Sequence, residues 1–261
     1  TKENPAVFDG ISLEIHSEYY ESTPLRPVVD IDYARFIPSC GDAIAINDDS
    51  LYGQNRPEHG FQYVRVKNSS FDRGVRIATV GSELLISNNE FQGYEAEISG
   101  TYLTVTDNSF TGLNILKIAV AYEGLESCGP LPPSINTLIS KNSIVGVSRV
   151  TIGASGPSQE CVNIEDELQI TNNLIAGNPF YVKLGFFQNV YIWTLVQNNS
   201  FQTTRTNSME IRGVASNNYW GTTDSSVIDA LIRDRWDSLD VAGYVEYLPI
   251  LTAPDPATPT E

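Results

Sequence analysis

The stretch SNNEFQGYEAEISGTYLTVTDNSF, Ser87 to Phe110, states one phrase twice. Asn88-Asn89-Glu90-Phe91 closes the first phrase and Asp107-Asn108-Ser109-Phe110 closes the second, 19 residues later. A polar pair before a bulky apolar residue recurs in VKNSSF (anchor Phe71), ISKNSI (Ile144), ITNNLI (Leu174), VQNNSF (Phe201) and ASNNYW (Tyr219-Trp220). The steps between anchors are about 20, 19, 34, 30, 27 and 18 residues, so the shortest step is the unit and the longer ones carry insertions.

Within a unit, short alternating runs flank the pair: LLIS precedes NNEF and EAEIS follows it. Each is too short for a helix and has the period of a half-buried strand. Strand, Asn turn, strand and turn in about 20 residues make one coil of a parallel solenoid, whose core forms only when coils stack. The predicted fold is therefore all-β, with the asparagines at one corner of successive coils. Asn tolerates left-handed backbone, and its amide reaches the next coil. Phe71, Phe91, Phe110, Ile144, Leu174 and Phe201 are expected to point inward as one stack. Asn68 and Asn198 also match the glycosylation pattern, and a turn ladder is the preferred reading of both.

Formal net charge is -16 and the pI about 4.4. That disfavours nucleic acid and anionic membrane surfaces, which select cationic proteins. No apolar run approaches the roughly 20 residues that span a bilayer. No signal peptide is apparent at the start, TKENPAVF, which suits a processed mature form or an excised domain. The only cysteines are Cys40, Cys128 and Cys161, with no CxxC pair, so no metal site and no cofactor is expected. The Pro/Thr-rich TAPDPATPTE (252–261) reads as a linker. Such a tail has little to bury, so whatever orders it is expected to be a neighbouring subunit, which makes homo-oligomer or filament assembly a candidate property.

The repeat over residues 28–220 resembles the right-handed parallel β-helix proteins of the pectate-lyase-like superfamily. NNYWGTTDSSVIDALIRDRWD followed by GYVEYLPIL resembles a terminal module of prokaryotic surface β-helix proteins. The resemblance implies a β-helix over 1–220, a helical cap over 221–250, a tail over 251–261, and an extracellular or cell-surface location. Thr223 or Asp224 suits the N-cap, and Val227, Ile228, Leu231, Ile232 and Trp236 form one apolar face able to cover the open end. CGDAIAI (Cys40 to Ile46) resembles a coil of the polygalacturonases of that superfamily. Only Asp42 matches there, the second Asp is absent, and hydrolysis needs converging carboxylates. Glu58-His59-Gly60 is similar to that family's GHG motif, and Val75 to Thr79 to its RIK.

The strand after each Asn corner reads apolar, polar, apolar. Alternation turns the middle residue outward, which predicts a ladder Arg76, Glu97, Lys117, Thr151, Lys183, Glu210. Glu95, Arg149, Tyr181 and Arg212 lie two residues away on the same face. One reading is a glycan- or protein-binding face. In the lyases that the chain resembles, a Lys or Arg on such a face abstracts a proton, which makes Lys117, Arg149 and Lys183 the candidates. The other reading is a solvated face of mutually neutralising charges. The expected function is a non-catalytic surface scaffold, with a polysaccharide lyase, then a hydrolase, as the alternative.

The insertions Ala121–Asn136 and Gly153–Asp166 follow this strand in consecutive coils, so they leave at one edge. Phe186 and Phe187 in LGFFQN continue that edge as candidate loop contacts. Cys128 and Cys161 lie in these two insertions, and coil stacking of about 4.8 Å suits a disulfide between them. Cys40 is left as a buried thiol.

Overall fold

Strands that alternate between solvent and core open each coil. Tyr63–Lys67, Glu83–Ser87 and Tyr102–Thr106 bury every second side chain. The chain then turns on the polar pair, runs a short strand such as Glu90–Gln92, turns again, and runs a longer one such as Glu95–Gly100. The computed structural model describes residues 3–15, 28–38, 41–48, 63–79, 82–121, 136–155, 167–187, 193–241 and 243–260. Over these the chain is a right-handed parallel β-helix of three sheets. Sheet 1 holds the short strands from Ala6–Phe8 to Ser200–Gln202. Sheet 2 holds those from Ile11–Ile15 to Met209–Arg212, and sheet 3 those from Val28–Asp32 to Trp193–Gln197. Each strand pairs in parallel with its counterpart one coil away, so the core is a continuous column between the sheets.

The corner assigns the two residues of each polar pair different work. The first is left-handed: φ is 50° at Asn68, 54° at Asn88, 58° at Asp107, 56° at Lys141 and Asn172, 58° at Asn198 and 59° at Asn217. Asn and Asp tolerate this region better than other residues with a side chain. The second turns inward. Asn89 donates from its backbone N and its Nδ2 to Asn108 Oδ1, and Asn108 does the same to Asn142. Asn142, Asn173, Asn199 and Asn218 continue the chain of bonds. Each Nδ2 also donates to a carbonyl of sheet 3, such as Ile86 from Asn108 and Val105 from Asn142. Buried amides stay satisfied without water in this way.

Sheet 1 carries the stack. Phe8, Phe36, Phe71, Phe91 and Phe110 lie face to face with ring centroids 4.7–5.3 Å apart. Register continues it through Ile144, Ile175 and Phe201, and Trp220 lies 4.8 Å from Phe201. The expected anchor Leu174 is one residue off. It pairs with Ser143 and Ser200 and is buried beside the stack, because the anchor follows the inward Asn by two positions and Asn173 therefore selects Ile175. Phe8 and Phe36 extend the stack beyond the recognised phrases. Near Phe36, Tyr33 takes the left-handed position (φ 55°), and the neighbouring coil's Ser69 Oγ accepts from Ala34 N.

The helix α1 (Ser225–Leu231) is N-capped by Asp224, whose carboxylate accepts from Ser226 N. Ile228, Leu231 and Ile232 are buried, and Arg233 N donates to Met209 O, so the segment closes the last coil of sheet 2. Val227 and Trp236 do not join this face: Val227 lies within α1 but on its exposed side, and Trp236 comes after the helix has ended at Leu231.

The tail runs back along the Asn corner of its own chain. Asn217 N donates to Pro249 O, and Leu251 N to Asn218 O. Farther on, Asn172 Nδ2 donates to Asp255 Oδ1, and Thr258 Oγ1 donates to Asn198 O. No neighbouring subunit is needed to order it, because the corner's unpaired polar groups supply the bonds. Among the described residues, no helix is long and apolar enough to cross a membrane. Cys40, Cys128 and Cys161, with the expected bridge, lie outside the described residues, as do Glu58 and His59.

Candidate binding face

Sheet 2 presents the site. Its strands Val75–Ala78, Glu95–Gly100, Ile115–Ala121, Arg149–Ser155, Tyr181–Phe187 and Met209–Arg212 bury residues such as Ala96, Ile98, Leu116, Ile118, Val150 and Ile152. The intervening side chains must then face outward. Register pairs Arg76 with Glu97, Glu97 with Lys117, Lys117 with Thr151, Thr151 with Lys183, and Lys183 with Glu210. The six residues form the single column that the alternation implied. A second column brings Glu95, Ile115, Arg149 and Tyr181 alongside.

Charges in the column divide into two groups. At one end Glu97 pairs with both Arg76 (3.6 Å) and Lys117. At the other, Glu210 is nearly buried and receives three partners. Arg212 Nη2 lies 2.9 Å from its Oε1, Tyr181 Oη donates to Oε2 at 3.1 Å, and Lys183 Nζ is 3.8 Å away. Burial pushes the Tyr181 phenol up to about 12, and the Glu210 carboxylate adds to the shift by charge and hydrogen bond. Burial pulls the Lys183 amine below its usual range, with Glu210 opposing and Arg212 assisting.

Between these groups lies a basic centre. Lys117, Arg149 and Lys183 stand on three successive strands around Thr151. Arg149 is exposed, and no carboxylate of the described residues lies within ion-pair distance of it.

A third outward column, Ser99, Ala119, Gly153 and Gly185, has small side chains and leads to Arg212. Ala119, Gly153 and Gly185 are buried rather than open to solvent, so this column is a covered floor beside the charged one. Gly185 is dictated by geometry: its φ is +111°, and a Cβ there would stand 1.9 Å from Arg212 O. Sequence reading found the charged column from its alternation. It missed this floor, because small residues carry no charge or period, and it missed the Glu210 hub, which depends on burial.

Connections to sheet 3 leave beside the floor. Ala121, Ser155 and Phe187 share one register line, so the insertions after them depart from one edge. Sheet 2 itself extends through Phe187, one coil beyond the long strands ending at Ala121 and Ser155, where a loop was expected. The side-chain role proposed for Phe186 and Phe187 lies outside the described residues. Asp42 is exposed just ahead of the strand Ile44–Asp48, beside Gly74. Among the described residues no three His, Cys, Asp or Glu side chains converge as a metal site.

No family model, curated protein or solved structure matches this chain.

Proposed function

We propose that this chain is an extracellular or cell-surface β-helix scaffold. It binds an acidic glycan or an acidic protein surface through sheet 2, without catalysis. The observation that carries the reading is the basic centre of Lys117, Arg149 and Lys183 in a chain of net charge -16. An acidic protein repels polyanions except where cations are gathered, and a flat column with a 4.8 Å repeat suits an extended polymer. The parallel β-helix supports kinship with the pectate-lyase-like superfamily, in which scaffold and enzyme share one fold.

The test is binding of acidic and neutral polysaccharides to the native chain, to Arg149→Ala and to Lys117→Ala/Lys183→Ala. Removing two cations is expected to weaken acidic-polymer binding at least about tenfold. Arg149→Ala is expected to keep a melting temperature close to native, whereas loss of Lys183 also takes a partner from buried Glu210 and is expected to lower it. Unchanged binding by both variants removes the face as the site.

One observation favours a second reading. The lowered Lys183 amine, within reach of Tyr181, Glu210 and Arg212, has the chemistry of a proton-abstracting base in a uronate lyase. Ultraviolet absorbance of the unsaturated product detects such turnover. Turnover that Lys183→Ala abolishes replaces the scaffold by a lyase.

The surface location carries a Cys128–Cys161 bridge with it, because disulfides persist in oxidising compartments. Alkylating the denatured, unreduced protein is expected to label Cys40 alone. Three labelled cysteines remove both the bridge and this argument for location.

A further inference from the structure

The cap carries a second hollow, whose lining shares no residue with the sheet 2 face. Trp236 is 82% exposed and Tyr244 57% exposed, yet their rings lie together with centroids 4.9 Å apart at 45°. They form one wall of a cleft of about 260 Å³ that Tyr247, Asp229, Asp234 and Asp237 help to line. Two large aromatics held side by side in solvent cover no core, so their arrangement is not explained by packing.

The charged atoms of the cleft are all carboxylate oxygens, beside the Tyr244 hydroxyl and the Trp236 indole N–H. Tyr247 Oη donates to Asp229 Oδ1 at 2.7 Å, which consumes that donor. Asp234 is engaged with the backbone, accepting from Trp236 N and Val245 N. Asp237 Oδ2 accepts from Asp234 N. Asp229 and Asp237 each keep one carboxylate oxygen that no described residue occupies. No Lys or Arg lines the cleft. Arg233 acts instead on Tyr181 at the sheet 2 face.

A neutral saccharide would leave the Asp229, Asp234 and Asp237 carboxylates clustered without a counter-charge. This cleft joins aromatic faces to spare carboxylate oxygens, with no cation among its lining residues. The matching ligand is positively charged, carries its own donors and has an apolar stem. We propose that the cap cleft binds an alkylammonium group, seated over Trp236 and Tyr244 and hydrogen-bonded to Asp229 and Asp237. Cation–π attraction and charge complementarity then act on one group. Tyr247 holds the Asp229 carboxylate in place. Its phenol, raised to about 12 by burial and by Asp229, keeps its proton for that bond.

The ammonium has two sources, a lysine side chain on a protein partner or a free diamine. Calorimetric titration of the native chain separates them. The probes are a short lysine-containing peptide, the same peptide with the lysine Nε-acetylated, and 1,5-diaminopentane. Saturable binding of the lysine peptide or the diamine, without binding of the acetylated peptide, is expected; the tighter of the two identifies the source. Trp236→Ala, at an exposed position that leaves the core intact, is expected to weaken binding about 3- to 10-fold, and Asp237→Asn similarly. Trp236→Phe is expected to recover part of the loss. Equal binding of the acetylated peptide, no saturable binding of any cation, or native affinity in Trp236→Ala overturns the proposal. Lys117→Ala/Lys183→Ala is expected to leave this binding unchanged, so its failure and that of the sheet 2 reading are distinguishable.

Discussion

Replacing Asn142 by Ala tests the central claim about the corner. The side chain is fully buried and makes four hydrogen bonds. Its Oδ1 accepts from Asn108 N at 3.1 Å and Asn108 Nδ2 at 3.0 Å. Its Nδ2 donates to Val105 O and to Asn173 Oδ1, each at 2.9 Å. Truncation does not orphan all of these partners. Asn108 Nδ2 keeps Ile86 O and Thr106 O, and Asn173 Oδ1 keeps Asn142 N. Asn108 N–H and Val105 C=O lose the partner that the ladder gives them. A buried group left unsatisfied costs about 1–3 kcal/mol, so the substitution is expected to cost about 2–6 kcal/mol. Urea denaturation followed by circular dichroism measures it. Because coils unfold with some independence, hydrogen exchange at Asn108 and its neighbours in the coil supplies the local value. Asn88→Ala is the control. That side chain is on the surface column, and its loss exchanges one exposed bond to Asn68 for left-handed strain of about 1–2 kcal/mol. A cost for Asn142→Ala no greater than for Asn88→Ala would falsify the ladder argument, since water would then be replacing the buried amide.

Two further predictions follow from sheet 2 and the cap. Gly185→Ala is expected to cost more than about 3 kcal/mol, because the new Cβ meets the Arg212 carbonyl at 1.9 Å and a left-handed backbone is strained as well; thermal denaturation measures it, and native stability refutes the reading. Tyr181 and Tyr247 each titrate near 12 in the fold against 10 unfolded, so the folded state binds more protons in that window. Their contribution is complete below pH 10 and is lost as the pH rises towards 12. Tyr181→Phe/Tyr247→Phe is expected to show a smaller loss of stability over that interval, and an unchanged slope shows that other groups dominate.

The fold was legible because its signals are local and repeated. A left-handed Asn and an inward Phe must recur wherever the corner recurs, so 19-residue and 34-residue steps give the same contact. The misreadings share a cause. Leu174 and Ile175 are both apolar, and only the inward direction of Asn173 decides which one joins the stack. Trp236 fits a helical period on paper, but α1 ends at Leu231, and Val227 lies within α1 on its exposed side. Tail docking was invisible in composition, since TAPDPATPTE has few apolar atoms; its partners are hydrogen-bonding groups that the corner already displays. The charged column of sheet 2 was legible from alternation, whereas the burial of Glu210 and the exposure of the Trp236–Tyr244 pair depend on packing between distant residues.

The division between a repeated corner and an edge of varying length bears on where a binding surface can be built. The asparagine ladder from coil to coil passes through the corner between sheets 3 and 1. Among the described residues, connections from sheet 2 to sheet 3 show no such ladder. One is a single residue, between Gly100 and Tyr102, while the segment from Ala121 to Asn136 is far longer. Asn108 and Asn142 bond at 3.0 Å across the longer connection, much as Asn89 and Asn108 do across the short one. An insertion at the sheet 2 edge is therefore nearly neutral for the fold, since loop closure costs only about 0.6 kcal/mol per doubling of length. The same insertion placed at the corner would separate the amides and orphan their partners. Variation is thus free where the edge borders Lys117, Arg149 and Lys183, and forbidden where the corner sets the rise from coil to coil. Under the proposed reading, residues added at that edge border a face whose spacing stays constant, which makes sheet 2 the surface on which to test acidic-polymer binding.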